Sequence, residues 1–160
     1  MLMKFIKYIH TKTTNVEVYN IQPIFKSEQK NETILDKITN LIWARNASII
    51  QPTFWEHACR EAEKISLYGE TGWRIPSKYE MEALAFRCNK NEYALKYGYN
   101  ARKYFQDIGF YNVNYGLYWT STESDSFFSY AFNMDSGDFG VWPKQSAYRA
   151  QIFLVKSQTT

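Results

Sequence analysis

The stretch Gly72-Trp73-Arg74-Ile75-Pro76-Ser77-Lys78-Tyr79-Glu80 constrains this chain more than any other. Pro76 pushes Ile75 into an extended conformation, and Ser77 with Glu80 has the spacing of a capping box, in which each side chain satisfies an amide of the first helical turn. A helix must therefore start at about Lys78. Met81, Leu84, Ala85 and Cys88 recur on one face of it, so the helix should bury that stripe as far as about Asn89, with Trp73 as the anchor beneath.

The chain has 160 residues, 45% of them apolar, which is enough for one domain with a core and too few for two. Aromatic residues make up 18%, while 7 Gly and 4 Pro argue against a low-complexity chain. A formal charge of +3, spread over both signs, does not by itself demand an acidic partner. The two cysteines, Cys59 and Cys88, fall on apolar helix faces and read as buried free thiols, weighed against a disulfide between the helices. Lys7 and His10 break the first apolar run before a secretory signal can form, and no run approaches the ~20 apolar residues of a membrane span. Cytoplasmic function is the expectation, with a surface or secreted setting as the alternative.

Taken in order, Val16 to Ile21 alternates as a strand would, and residues 1–30 are expected to form an extension packed on a domain of residues 31–160. Lys26 to Asn31 reads as a polar connector, and Thr33 to Asp36 with Leu41 to Trp43 as a hairpin. Thr53 with Glu56 has the spacing of a second capping box, opening a helix from about Phe54 to Leu67 that Gly69 stops. His57 on its polar face reads as exposed and unpaired. Asn89 to Leu117 is a long, tyrosine- and lysine-rich stretch, with a helical turn at Asn100 to Phe105. Strand signals at Leu117–Thr120, Ser129–Met134, Phe139–Trp142 and Gln151–Val155 make the last third an antiparallel meander.

Four ordered motifs carry a family resemblance. They are Ile34-Leu35-Asp36 through Ile42-Trp43; Gly72-Trp73-Arg74-Ile75-Pro76-Ser77 with Glu80 and Leu84; Tyr118-Trp119-Thr120-Ser121-Thr122; and Ala131-Phe132-Asn133-Met134-Asp135-Ser136-Gly137. From about Thr33 to Lys156 the chain resembles the domain at the C-terminus of the Legionella collagen-like adhesin. That resemblance implies an α+β, C-type-lectin-like fold, with two helices packed on twisted antiparallel sheets and long loops presenting ligands. Many members pair a cysteine at the position of Cys59 with one in the last strand, where this chain has Leu154, so that bridge is not expected.

The same scaffold supports cysteine-based and three-histidine iron chemistry in other branches. With Cys59, Cys88, His10 and His57 alone, neither constellation can be assembled, and the calcium-site motifs of animal lectins do not occur. The expectation is therefore no catalytic residue, no metal and no cofactor. Trp73, Arg74, Pro76, Glu80, Trp119 and Thr120 are assigned a structural role, a hydrogen-bonded strut between the second helix and the strand at Trp119. Arg102, Lys103, Tyr111, Tyr115, Phe127, Phe128, Phe139, Trp142 and Tyr148 are the candidate ligand-binding residues, because rigid aromatics among Ser, Gly and Asn give contact area at low entropy cost. The expected function is non-catalytic recognition of a protein or glycan. The alternatives are nucleic-acid binding through the basic, tyrosine-rich residues 90–115 and an enzyme of unrecognised chemistry.

Overall fold

The computed structural model describes residues 25–28, 32–89, 100–145 and 148–158, with the side chains of 25–28 and 86–89 excepted. The strand expected at Val16–Ile21, the extension up to residue 24 and the tyrosines of residues 90–99 lie outside these residues. Among them the chain is α+β: three helices and two small antiparallel sheets. The elements are β1 (Phe25–Glu28), β2 (Thr33–Asp36), β3 (Leu41–Ala44), α1 (Trp55–Lys64), α2 (Lys78–Asn89), α3 (Ala101–Asp107), β4 (Leu117–Glu123), β5 (Phe128–Asn133), β6 (Phe139–Pro143) and β7 (Val155–Ser157). One sheet has the order β1-β2-β3-β7 and the other β4-β5-β6.

The β2–β3 hairpin forms in the expected place, turned by Asn40 at φ 55° and by Asp36, whose carboxylate accepts from Ile38 N–H and Thr39 Oγ1. Lys26 to Glu28 is not a connector: it pairs with β2, because an outer strand needs only backbone partners and leaves no apolar alternation to read. The meander is also shorter than expected. β7 leaves it and pairs with β3, while Gln151 alone reaches β4.

Alternation along residues 152–155 divides the interior in two. Phe153 and Val155 join Trp43, Met81, Leu84, Phe105, Phe110, Tyr118 and Phe132 beneath α2 and α3. Ile152 and Leu154 join Ala58, Ala62, Trp73, Ile75, Trp119 and Ala131 beneath α1. Phe153 is the hub of the first cluster, with ring centroids 4.7 Å from Tyr118, 5.2 Å from Phe110 and 5.4 Å from Phe105. Trp73 is thus not beneath the α2 stripe. Its extended segment crosses to the α1 side, where its indole donates to Glu70 O at 3.2 Å.

The two helix starts differ. At α2 the capping box forms, Glu80 accepting from Ser77 N–H at 2.8 Å and Ser77 Oγ from Glu80 N–H at 3.2 Å. At α1 it does not form. The N-cap is Phe54 with no side-chain bond, since the Thr53 backbone is bridged to Ala150 and its hydroxyl lies 3.1 Å from His57 Nδ1. His57 is therefore half-buried and partnered, with Glu61 3.7 Å from its other nitrogen. The helix ends at Lys64, short of Leu67, because Leu67 and Glu70 close a turn through Tyr68 and Gly69, both at positive φ. Cys59 is a free thiol and only half-buried; burial, then the charges of Glu63 and Glu123, push it up to about 11.

Candidate functional site

The frame of the site is the join between α2 and β4. Arg74 grips Glu80 with both terminal nitrogens, at 2.7 and 2.6 Å, in the bidentate geometry that fits guanidinium to carboxylate. Arg74 is half-buried rather than sealed, and the hydrogen bond to Glu80 raises its pKa against the opposing effect of burial. Burial alone would raise the Glu80 carboxyl, but the bonds from Arg74 and Ser77 outweigh it and hold the group below its usual value. Two hydrogen bonds then fix the start of the helix to the strand: Lys78 N–H to Thr122 Oγ1 at 2.9 Å, and Ser121 N–H to Pro76 O at 2.8 Å. Trp119 donates its indole N–H to Thr53 O at 2.8 Å, and Thr120 donates to Tyr130 O at 2.8 Å.

On this frame the candidate ligand-binding residues separate into two groups at opposite ends of β4, whose seven residues span roughly 20 Å. Before the strand stand Arg102, Lys103, Tyr111 and Tyr115. Arg102 lies 4.5 Å above the exposed Tyr115 ring and donates from Nε to Val113 O at 2.7 Å, while Lys103 pairs with Asp107 at 2.7 Å. Tyr111 donates to Glu32 at 2.6 Å, and the Tyr68 hydroxyl stands 3.5 Å from the same oxygen. That bond, followed by burial and the Glu32 charge, raises the Tyr111 hydroxyl to about 12. Asn46, Ser48, Asn112 and Asn114 continue the surface in one network, with Asn114 Nδ2 donating to Ser48 Oγ at 2.7 Å.

After the strand stand Phe127 and Phe128, the former 72% exposed. Asp125 shapes their turn by accepting from both of their N–H groups, at 2.7 and 2.9 Å. Beneath it lies Lys144, only 4% exposed. Its ammonium pairs with Glu123, donates to Asp125 O and Ser126 O at 2.8 and 3.2 Å, and sits 4.8 Å from the Trp55 ring. Trp142 is level with Glu123 at this end, whereas Phe139 is level with Tyr118 at the start of β4; both are half-buried, packed against the second and first clusters respectively. Tyr148 is exposed and lies 5.4 Å from Trp142. Ser146 and Ala147 lie outside the described residues.

Sequence reasoning missed Lys144, Glu32, Tyr68 and the asparagine network. A buried lysine carries no local signal, because lysine side chains are almost always solvated. Asp125 was legible in principle, as an Asp two residues ahead of a turn amide. Among the described residues no group of three or more His, Cys, Asp or Glu could hold a metal ion, and no helix is long and apolar enough to cross a membrane.

An α+β domain with two antiparallel sheets, two interior clusters and aromatic loops at both ends of one sheet is the class that these features define. Residues 32–153 match the model of the Lcl C-terminal domain, and the chain belongs to that family. A comparison with curated proteins finds no match.

Proposed function

We propose that this chain is a non-catalytic recognition domain of C-type-lectin-like form that binds a protein or glycan ligand. The observation that carries the reading is that its exposed rings stand on loops already held in place. Asp125 and Lys144 fix the turn under Phe127, and Glu32, the Arg45 and Ala47 backbone and Arg102 fix the surface around Tyr111 and Tyr115. Aromatic contact area on an ordered loop costs little entropy on binding. The nucleic-acid reading has less behind it, since Arg102 and Lys103 are committed to Val113, Tyr115 and Asp107. A reducing compartment suits the reading, with Leu154 buried in the second cluster where many members carry the second cysteine.

The test is capture of ligands from a glycan array and from host lysate, followed by alanine substitution of Tyr111, Tyr115, Phe127 and Tyr148. Trp142 is spared because it packs on the interior. At least one substitution is expected to weaken binding about tenfold, equivalent to about 1.4 kcal/mol. Binding that survives all four overturns the assignment of the surface.

A further inference from the structure

The surface before β4 is built from two segments that lie far apart in the chain. Tyr111 N–H donates to Arg45 O and Ala47 N–H to Tyr111 O, both at 2.9 Å, and Ser48 Oγ donates to Asn112 O at 2.8 Å. These ties bring Asn46, Asn112 and Asn114 together beside Tyr111. Each polar side chain here is held at one end only. Asn46 Oδ1 accepts from Ser48 N–H at 3.0 Å and from Asn112 Nδ2 at 3.2 Å, Asn114 Nδ2 donates to Ser48 Oγ, and Glu32 Oε2 accepts from the Tyr111 hydroxyl. Among the described residues no hydrogen bond reaches the opposite ends, which are Asn46 Nδ2, Asn112 Oδ1, Asn114 Oδ1 and Glu32 Oε1. Three oriented acceptors and one oriented donor therefore share a surface with Tyr115, whose ring is 61% exposed.

We propose that this surface binds an uncharged saccharide directly, its hydroxyls bonding to Asn46, Asn112, Asn114 and Glu32 and its C–H face lying on Tyr115, with no metal between. The inference rests on the recognition reading above and narrows it to one ligand class and one end of the sheet. The balance of groups selects that class. An anion meets the Glu32 carboxylate and two amide oxygens with a single amide donor to set against them. A cation meets Arg45, 5.9 Å from the Tyr111 ring, and Arg102, 4.5 Å from the Tyr115 ring, so guanidinium charge already stands at both rings. A peptide backbone brings a carbonyl with every N–H, and those carbonyls find only Asn46 Nδ2. A hydroxyl escapes this imbalance, because it donates or accepts as it turns. The amides are also oriented before the ligand arrives, by the bonds at their far ends, which lowers the entropy lost on binding.

An array of uncharged, sulfated and sialylated saccharides, probed with the full chain in EDTA, reads the ligand class. Uncharged saccharides should be retained, and retained equally as salt is raised, because no ion pair contributes. Asn112→Gly removes one amide while suiting the φ of 53° at that position, and Tyr115→Ala removes the ring; each should weaken retention about tenfold. Both side chains are exposed, so the thermal midpoint should hold. Phe127→Ala and Tyr148→Ala, at the other end of the sheet, should leave retention unchanged. Retention of sulfated or sialylated saccharides alone overturns the proposal, as does retention that needs calcium or that survives both Asn112→Gly and Tyr115→Ala. An array that retains nothing overturns it too. Capture of a protein from host lysate that Phe127→Ala abolishes would then leave the wider recognition reading standing, whereas failure of both experiments removes both.

Discussion

The two ends of the β4–β5–β6 sheet both display aromatic rings, yet different chemistry holds them. At the far end a single ammonium, Lys144, lies sealed beneath the loop with three acceptors and an indole around it. At the near end many solvated groups share the work, in a network of tyrosine, asparagine and glutamate side chains on the surface. Buried hydrogen bonds to a charge are each worth more than exposed ones, where water competes for every partner. One end thus depends on one residue, and the other on none in particular.

Removing the buried ammonium should break that contrast most strongly. Lys144→Met leaves the loop carbonyls without their donor and is expected to cost about 2 kcal/mol. Chemical denaturation reads the loss, and faster amide exchange at Phe127 and Phe128 locates it; an unchanged midpoint would show that the loop holds itself. Next comes the frame behind that end. Glu80→Ala removes the capping partner of Ser77 and the mate of Arg74, at a cost of about 1.5 kcal/mol. Because the folded state holds the Glu80 carboxyl below its ordinary value near 4.5, its contribution is complete above that pH and is lost as the pH falls through the folded value. The acid limb of the stability profile should therefore flatten in the Glu80→Ala chain. At the near end the smallest effect is expected. Glu32→Gln should change stability by under about 0.5 kcal/mol, while phenolate absorbance shows the Tyr111 hydroxyl returning toward about 10. Since this group is raised to about 12 in the folded chain, what it contributes is present below about 10 and vanishes as the pH rises through 12.

What could be read from the chain follows the range of the interactions involved. The Ser77–Glu80 box, the Met81, Leu84 and Ala85 part of the α2 stripe and the β2–β3 hairpin are local, and each forms where the residues place it, while the Cys88 side chain lies outside the described residues. The Thr53–Glu56 pattern has the same spacing but fails, because Ala150, almost a hundred positions later, takes the Thr53 backbone. Partners that distant leave no trace in a window of a few residues. The same limit applies to the surface: the exposed rings at Tyr115 and Phe127 could be nominated from composition, but the carboxylate that orients Tyr111 comes from β2's approach at Glu32, and the ammonium under Phe127 comes from beyond β6. Phe139 and Trp142 belong to the same vocabulary as the exposed rings, and only the packing of the sheet's two faces shows that both are half inside.

The crossing of residues 152–157 between the two interior clusters bears on how the chain is made. Phe153 and Val155 complete one interior, Ile152 and Leu154 the other, and Ser157 meets Leu41 from more than a hundred positions away. Synthesis runs from the N-terminal side, at about 5–20 residues per second, so neither interior can be completed until this strip has been made. Both interiors therefore close late, after the rest of the domain has been made, and the interval before closure is when a holdase would have the most surface to grip.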